Sequence, residues 1–165
     1  MARAANGEIT GACCAIPADG TPWTYGYNGY GQVGLGNTLS QPTPAQVGTG
    51  TTWQSVTAGT YSVLAIKTDG TLWAWGNNQY SQLGNGNGNT TNQLSPVQIG
   101  AGASWQHVAA GNVYSATIRT DGTLWNWGLN RNGQLGISSI ANPIPLYITT
   151  GGTTLATTAA NSLAA

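Results

Sequence analysis

The side chains that could carry acid, base or nucleophilic chemistry are few enough to name. The 165-residue chain has four basic and four acidic groups, namely Arg3, Glu8, Asp19, Lys67, Asp69, Arg119, Asp121 and Arg131, together with one histidine, His107, and two cysteines, Cys13 and Cys14. Hydrolysis by paired carboxylates needs two acids in unlike environments. Three of the four acids precede glycine in one recurring turn, where a carboxylate bonds its own backbone, and this leaves Glu8 without a partner. His107 could be imagined in a Ser-His-Asp site, but no nucleophile elbow accompanies it, and an edge-strand or surface position is expected. A zinc site needs three or four protein ligands, and adjacent Cys13 and Cys14 fit no zinc spacing. They read as small apolar residues of a strand, with a redox or intermolecular disulfide role as the alternative. The segment 85–92, rich in asparagine, has no carboxylate for calcium and reads as a plain loop, and no glycine-rich stretch ends in the Lys-Ser/Thr of a phosphate cradle. No catalytic group, cofactor or metal is expected.

Composition excludes further classes. Charged residues make up 5% of the chain and the net charge is zero. Neutralising phosphates or anionic lipid needs a basic cluster, so neither nucleic-acid binding nor membrane attachment is expected. The apolar fraction of 40% is too high for a charge-driven disordered chain, and no apolar run reaches the roughly 20 residues of a membrane helix, so no membrane insertion is expected. Residues 1–15 hold one arginine and no sustained apolar stretch, and do not read as a secretory signal. With 25 glycines, 7 tryptophans, 7 tyrosines and no phenylalanine, the chain favours strands and tight turns over helices.

The elements that must position these residues repeat. Asp69-Gly70-Thr-Leu-Trp73-Ala-Trp75-Gly recurs as Asp121-Gly122-Thr-Leu-Trp125-Asn-Trp127-Gly and more loosely as Asp19-Gly20-Thr-Pro-Trp23-Thr-Tyr25-Gly. Downstream, Asn28, Asn78 and Asn130 align, then Gln32, Gln82 and Gln134, then Gly34, Gly84 and Gly136. Trp53-Gln-Ser-Val matches Trp105-Gln-His-Val, and an apolar strand precedes each Asp-Gly, as in Val63-Leu-Ala-Ile66. Cys13-Cys-Ala-Ile16 falls at that place in the first copy, and residues 158–165 resemble the start of another. An apolar strand, a tight Asp-Gly turn with positive φ and a Trp-x-Trp strand form a hairpin whose aromatics share one buried face. Four short strands per repeat of about 50 residues make one propeller blade. The chain reads as one domain, 1–165, with repeats at about 8–58, 59–110 and 111–165.

This pattern of Ala-Gly, Leu-Ala-Ile, Asp-Gly-Thr-Leu-Trp-x-Trp-Gly-x-Asn and Gly-Gln-Leu-Gly resembles the repeat of the RCC1 (regulator of chromosome condensation) family, whose members form seven-bladed β-propellers. The family often has His-Ser where this chain has Ser62-Val63 and Tyr114-Ser115. The resemblance implies an all-β protein of about three RCC1-like blades, as an open arc or part of an oligomeric ring. It also implies a protein-binding scaffold, because family members include nucleotide-exchange factors, secreted bacterial inhibitors of β-lactamase, and repeat proteins of bacteria and phages. Exchange activity in the family uses charged surfaces, which this chain lacks.

The aromatics that vary between copies, Tyr27, Tyr30 and Tyr80, fall in the loop after the Trp-x-Trp strand, with Asn87 and Arg131 in the corresponding loops of later repeats. Tyrosine with asparagine, serine and glycine is the composition of adaptable binding surfaces, and packing on a neighbouring blade is the competing explanation. A nearly uncharged surface without a visible signal fits a virion subunit, a phage tail, fibre or decoration protein, whose partners are proteins of the particle or further copies of the chain. A secreted inhibitor or adhesion module is the alternative. Either places the protein in a virion or outside the cell.

Overall fold

A computed structural model describes residues 11–86 and 88–137, and the backbone of 141–148. Glu8, Asn87 and the segment 158–165 lie outside the described residues. Every regular element among the described residues is a strand. In chain order they are β1 (Ala12–Ala15), β2 (Trp23–Gly26), β3 (Gln41–Gln46), β4 (Trp53–Ala58), β5 (Ser62–Lys67), β6 (Leu72–Gly76), β7 (Gln93–Ile99), β8 (Trp105–Ala110), β9 (Tyr114–Arg119), β10 (Leu124–Leu129) and β11 (Ala141–Ile148). They form three antiparallel sheets, β1-β2-β3, β4-β5-β6-β7 and β8-β9-β10-β11. The sheets are cut one strand earlier than the sequence repeat: β4 ends the repeat 8–58 yet begins the second sheet.

The strand β5 explains why its sequence is apolar without alternation. Val63 and Ala65 pack with Trp53 and Trp75 towards the first sheet, where Cys14 and Ile16 meet them. Leu64 and Ile66 pack with Leu72, Ala74, Trp105 and Trp127 towards the third sheet. All four are fully buried, as a strand covered on both faces requires. Fully burying one such aliphatic side chain stabilises by about 1.5–3 kcal/mol, so the two inter-sheet cores dominate the fold.

The turn between β5 and β6 differs in detail from a two-residue Asp-Gly hairpin. The Lys67 N–H donates to Thr71 O at 3.0 Å and the Gly70 N–H to Lys67 O at 2.9 Å, so the loop is Thr68-Asp69-Gly70, three residues long. Gly70 alone takes positive φ, at 80°, as the three-residue hairpin loop demands of its last position. The aspartate caps the turn: Oδ1 of Asp69 accepts the Thr71 N–H (2.9 Å) and hydroxyl (2.6 Å). The Thr71 hydroxyl oxygen in turn accepts the Trp73 indole N–H at 2.9 Å. The same chain of bonds recurs from Asp19 to Trp23 and from Asp121 to Trp125. Backbone bonds join the sheets beside these turns, Trp53 N–H to Gly20 O and Trp105 N–H to Gly70 O.

Candidate interaction site

Strand direction sorts the side chains between two ends of the molecule. Asp19, Lys67, Asp69, Arg119 and Asp121 all sit at or beside the β1–β2, β5–β6 and β9–β10 turns. Tyr27, Tyr30, Tyr61, Tyr80 and Arg131 sit at the opposite, loop end, where β2, β6 and β10 finish. Arg131 is thus the only charged residue at the loop end among the described residues.

The long loop after each Trp-x-Trp strand is built from inside. Asn78 is fully buried; its Oδ1 accepts the Leu83 N–H at 3.0 Å, and its Nδ2 donates to Asn89 O and Asn85 Oδ1. Asn28 and Asn130 do the same work in their own loops, towards Val33 and Leu135. In the segment read from sequence as a plain loop, Asn85 and Asn89 are therefore tied to Asn78, and Asn92 Oδ1 also takes the Asn78 N–H at 3.0 Å. Asparagine suits this place because one side chain supplies two donors and an acceptor to backbone that no strand can pair. The carbonyl of Gln82 then accepts from the following sheet, from the Trp127 indole N–H at 2.8 Å and the Ser115 hydroxyl at 2.7 Å. Gln32 O receives the Trp75 indole N–H at 3.1 Å in the same way. The first two loops are thus each a joint to the next sheet.

On this base the tyrosines gather at one junction. Tyr30 meets Tyr61 edge to face at 5.1 Å between ring centroids, and Tyr27 meets Tyr30 at 6.2 Å. Tyr27 is exposed and Tyr30 and Tyr61 half-buried, forming an aromatic ridge from the first sheet to the second. The corresponding positions one repeat on are Asn77, Tyr80 and Val113, so Tyr80 stands apart from the ridge. Arg131 is exposed on the third loop, away from these rings. Sequence reasoning passed over Tyr61; the signal was its place in the β4–β5 turn, where the next repeat has valine.

A buried mismatch lies under the ridge. Oε1 of Gln32 accepts the Tyr30 N–H at 2.9 Å, while its Nε2 has no partner and Gln32 is 1% exposed. In the next repeat the Gln82 amide donates to Asn77 Oδ1. Tyr27 stands where Asn77 would, so that acceptor is missing, and an unsatisfied buried donor costs about 1–3 kcal/mol. The neighbouring Ser62 hydroxyl is also buried without a partner.

The remaining sequence candidates are scattered. Cys13 and Cys14 are free thiols on opposite faces of β1; burial, then the neighbouring Cys13, push the Cys14 thiol up to about 11. His107 is exposed on the edge strand β8. Among the described residues no three His, Cys, Asp or Glu side chains converge.

Four-stranded antiparallel sheets joined side by side in this way are blades of a β-propeller. The chain belongs to the RCC1 repeat family: the pattern described as Regulator of chromosome condensation (RCC1) repeat matches residues 19–66 and 69–118, and a second pattern of the same description matches 53–82. Among solved structures it is similar to human WBSCR16, with a TM-score of 0.72 and 24% identity over 84% of this chain. It is also similar to Prp20p from Saccharomyces cerevisiae, with a TM-score of 0.77 and 20% identity over 87% of this chain. A third structure, yeast RCC1 (Prp20) bound by Kap60, gives 0.76 and 20% over 87%. The chain spans 36–37% of the length of these structures. Of Prp20p itself, binding to Gsp1p and histones is described.

Proposed function

We propose that this chain is a non-enzymatic protein-interaction module whose charge-poor, tyrosine-bearing loop end contacts its partner. The observation that carries the reading is the Tyr27–Tyr30–Tyr61 ridge, kept at one sheet junction despite the donor it strands beneath. Tyrosine supplies broad contact area and a polar tip at low entropic cost, and such residues dominate the energetics of many interfaces. The protein partners of the yeast RCC1 structures support a binding role for the scaffold, although the charged surfaces used for nucleotide exchange are missing here.

In its finer form the reading is a virion subunit, such as a tail, fibre or decoration protein, packed among other particle proteins or further copies of the chain. Scarce charge supports it, because a free protein gains colloidal protection from net charge and a packed subunit does not need it. The experiment is mass spectrometry of native complexes recovered from the source through a tag on this chain. Particle proteins in stoichiometric amount are expected. Recovery of the chain alone, or with only non-particle proteins, sinks the virion reading, and recovery of the chain alone sinks the interaction reading as well.

A further inference from the structure

A cavity of about 410 Å³ opens between the first and second sheets, lined by Leu35 of the loop after β2 and by Lys67 at the turn end, with none of the ridge tyrosines in its wall. Its walls are largely apolar, from Leu35, Val47, Pro96 and the ring of Trp53, and its polar side chains are Lys67 and Ser95. A Cβ added at Gly48 meets nothing within 4 Å, so the space before that backbone is open. Gly50 lies against the Trp53 indole nitrogen, 3.6 Å from where a Cβ would stand. The Lys67 ammonium rests over two indole faces, 4.0 Å from Trp73 and 4.9 Å from Trp53. Asp69 on the same turn has its Oδ1 committed to Thr71, and its charge still interacts with Lys67.

The next junction repeats these donors. Arg119 stacks 3.9 Å over Trp125 and 4.9 Å over Trp105, in the places of Lys67, Trp73 and Trp53. There the Trp105 indole N–H and Arg119 Nε are both buried without a partner, and Trp105 is 2% exposed. Stacking alone does not require the indole N–H to be left without an acceptor. An apolar slot holding a cation and an indole N–H matches a ligand with a short apolar body and an anionic, acceptor-only tip.

We propose that the cavity lined by Trp53 and Lys67 is a binding pocket for a carboxylate on a short aliphatic arm, with the ammonium and the indole N–H as its donors. The aliphatic arm lies along Leu35, Val47 and Pro96. Asp69 offsets part of the Lys67 charge, so selection rests on the placement of two donors more than on a long-range field. The same chemistry is offered by a glutamate side chain of a partner and by a free small diacid. The proposal does not depend on the loop-end reading, because none of Tyr27, Tyr30 and Tyr61 lines the cavity.

The test follows the Trp53 indole N–H resonance in nitrogen–proton correlation spectra during titration with three probes: a blocked glycyl-glutamyl-glycine tripeptide, its glutaminyl counterpart, and glutarate. A saturable shift with the glutamyl peptide is expected, with the glutaminyl peptide weaker by about tenfold or more. Lys67→Met removes that preference and Lys67→Arg retains it. Should Lys67→Met fail to fold, Ser95→Trp fills the mouth of the cavity, and it abolishes the shift while the Trp105 resonance stays in place. Tighter binding of the peptide than of glutarate assigns the pocket to a partner's side chain, and the reverse assigns it to a free diacid. Equal response to the glutamyl and glutaminyl peptides, no shift with any probe, or an unchanged preference in Lys67→Met overturns the proposal.

Discussion

At the scale of single residues, the three capping aspartates work alike. Hydrogen bonds from the threonine hydroxyl and backbone hold Asp19, Asp69 and Asp121 below the usual carboxylate range. A carboxyl with a depressed folded-state pKa stabilises the fold above its unfolded value of about 3.9, and that stability is lost as pH falls through the folded value. Melting temperature is therefore expected to change little from neutral pH to about pH 5 and to drop below about pH 4, with a shallower drop in the triple Asp→Asn variant; calorimetry across that range checks it. Ser81 offers a prediction of the opposite sign. It holds φ of 58° where the neighbouring repeats have Gly31 and Gly133, and no other described non-glycine residue has positive φ. Ser81→Gly relieves a left-handed strain and is expected to stabilise by about 1 kcal/mol, measured by denaturant unfolding. Cys14, with its thiol near 11, is expected to resist alkylation at pH 8 until the protein unfolds, and peptide mapping after timed labelling checks this. The aspartate caps were legible in sequence because cap and capped group are two residues apart. The strain at Ser81 shows only when three copies of one loop are laid side by side.

At the scale of elements, strands were easier to read than loops. The apolar run of β5, the Trp-x-Trp of β6 and β10 and the turn glycines announce themselves within a few residues. The loops looked like surface, yet Asn78 and Gln82 are among the most buried polar residues of the chain. Their meaning depends on Trp127, whose indole bonds Gln82 O across 45 positions of sequence, and no local pattern reports that distance. Asn78→Leu would remove the loop's internal acceptor and leave the Leu83 N–H buried and unpaired, a loss of roughly 2–4 kcal/mol. Unfolding of the isolated variant by urea measures it. Gly84→Ala should also cost stability, since the new Cβ would sit 2.6 Å from the Trp127 indole nitrogen at a φ of 73°.

At the scale of the whole molecule, most of the charge and the tyrosine ridge lie at opposite ends, and this division was not visible in composition. Counting charges showed how few there are, and only strand direction showed that five of the six on described residues share one end. If the loop end contacts a partner, Tyr30→Ala should weaken that complex by about tenfold or more, while Arg119→Ala at the other end should not, as read by titration against the recovered partner. At both described inter-blade joints one bond is made from parts the repeat itself encodes: a loop carbonyl on the one side, an indole N–H on the other. Duplicating a repeat in the gene therefore delivers both halves of a new joint together, and deleting one removes both. Blade number can change through recombination of the coding sequence without inventing this bond anew.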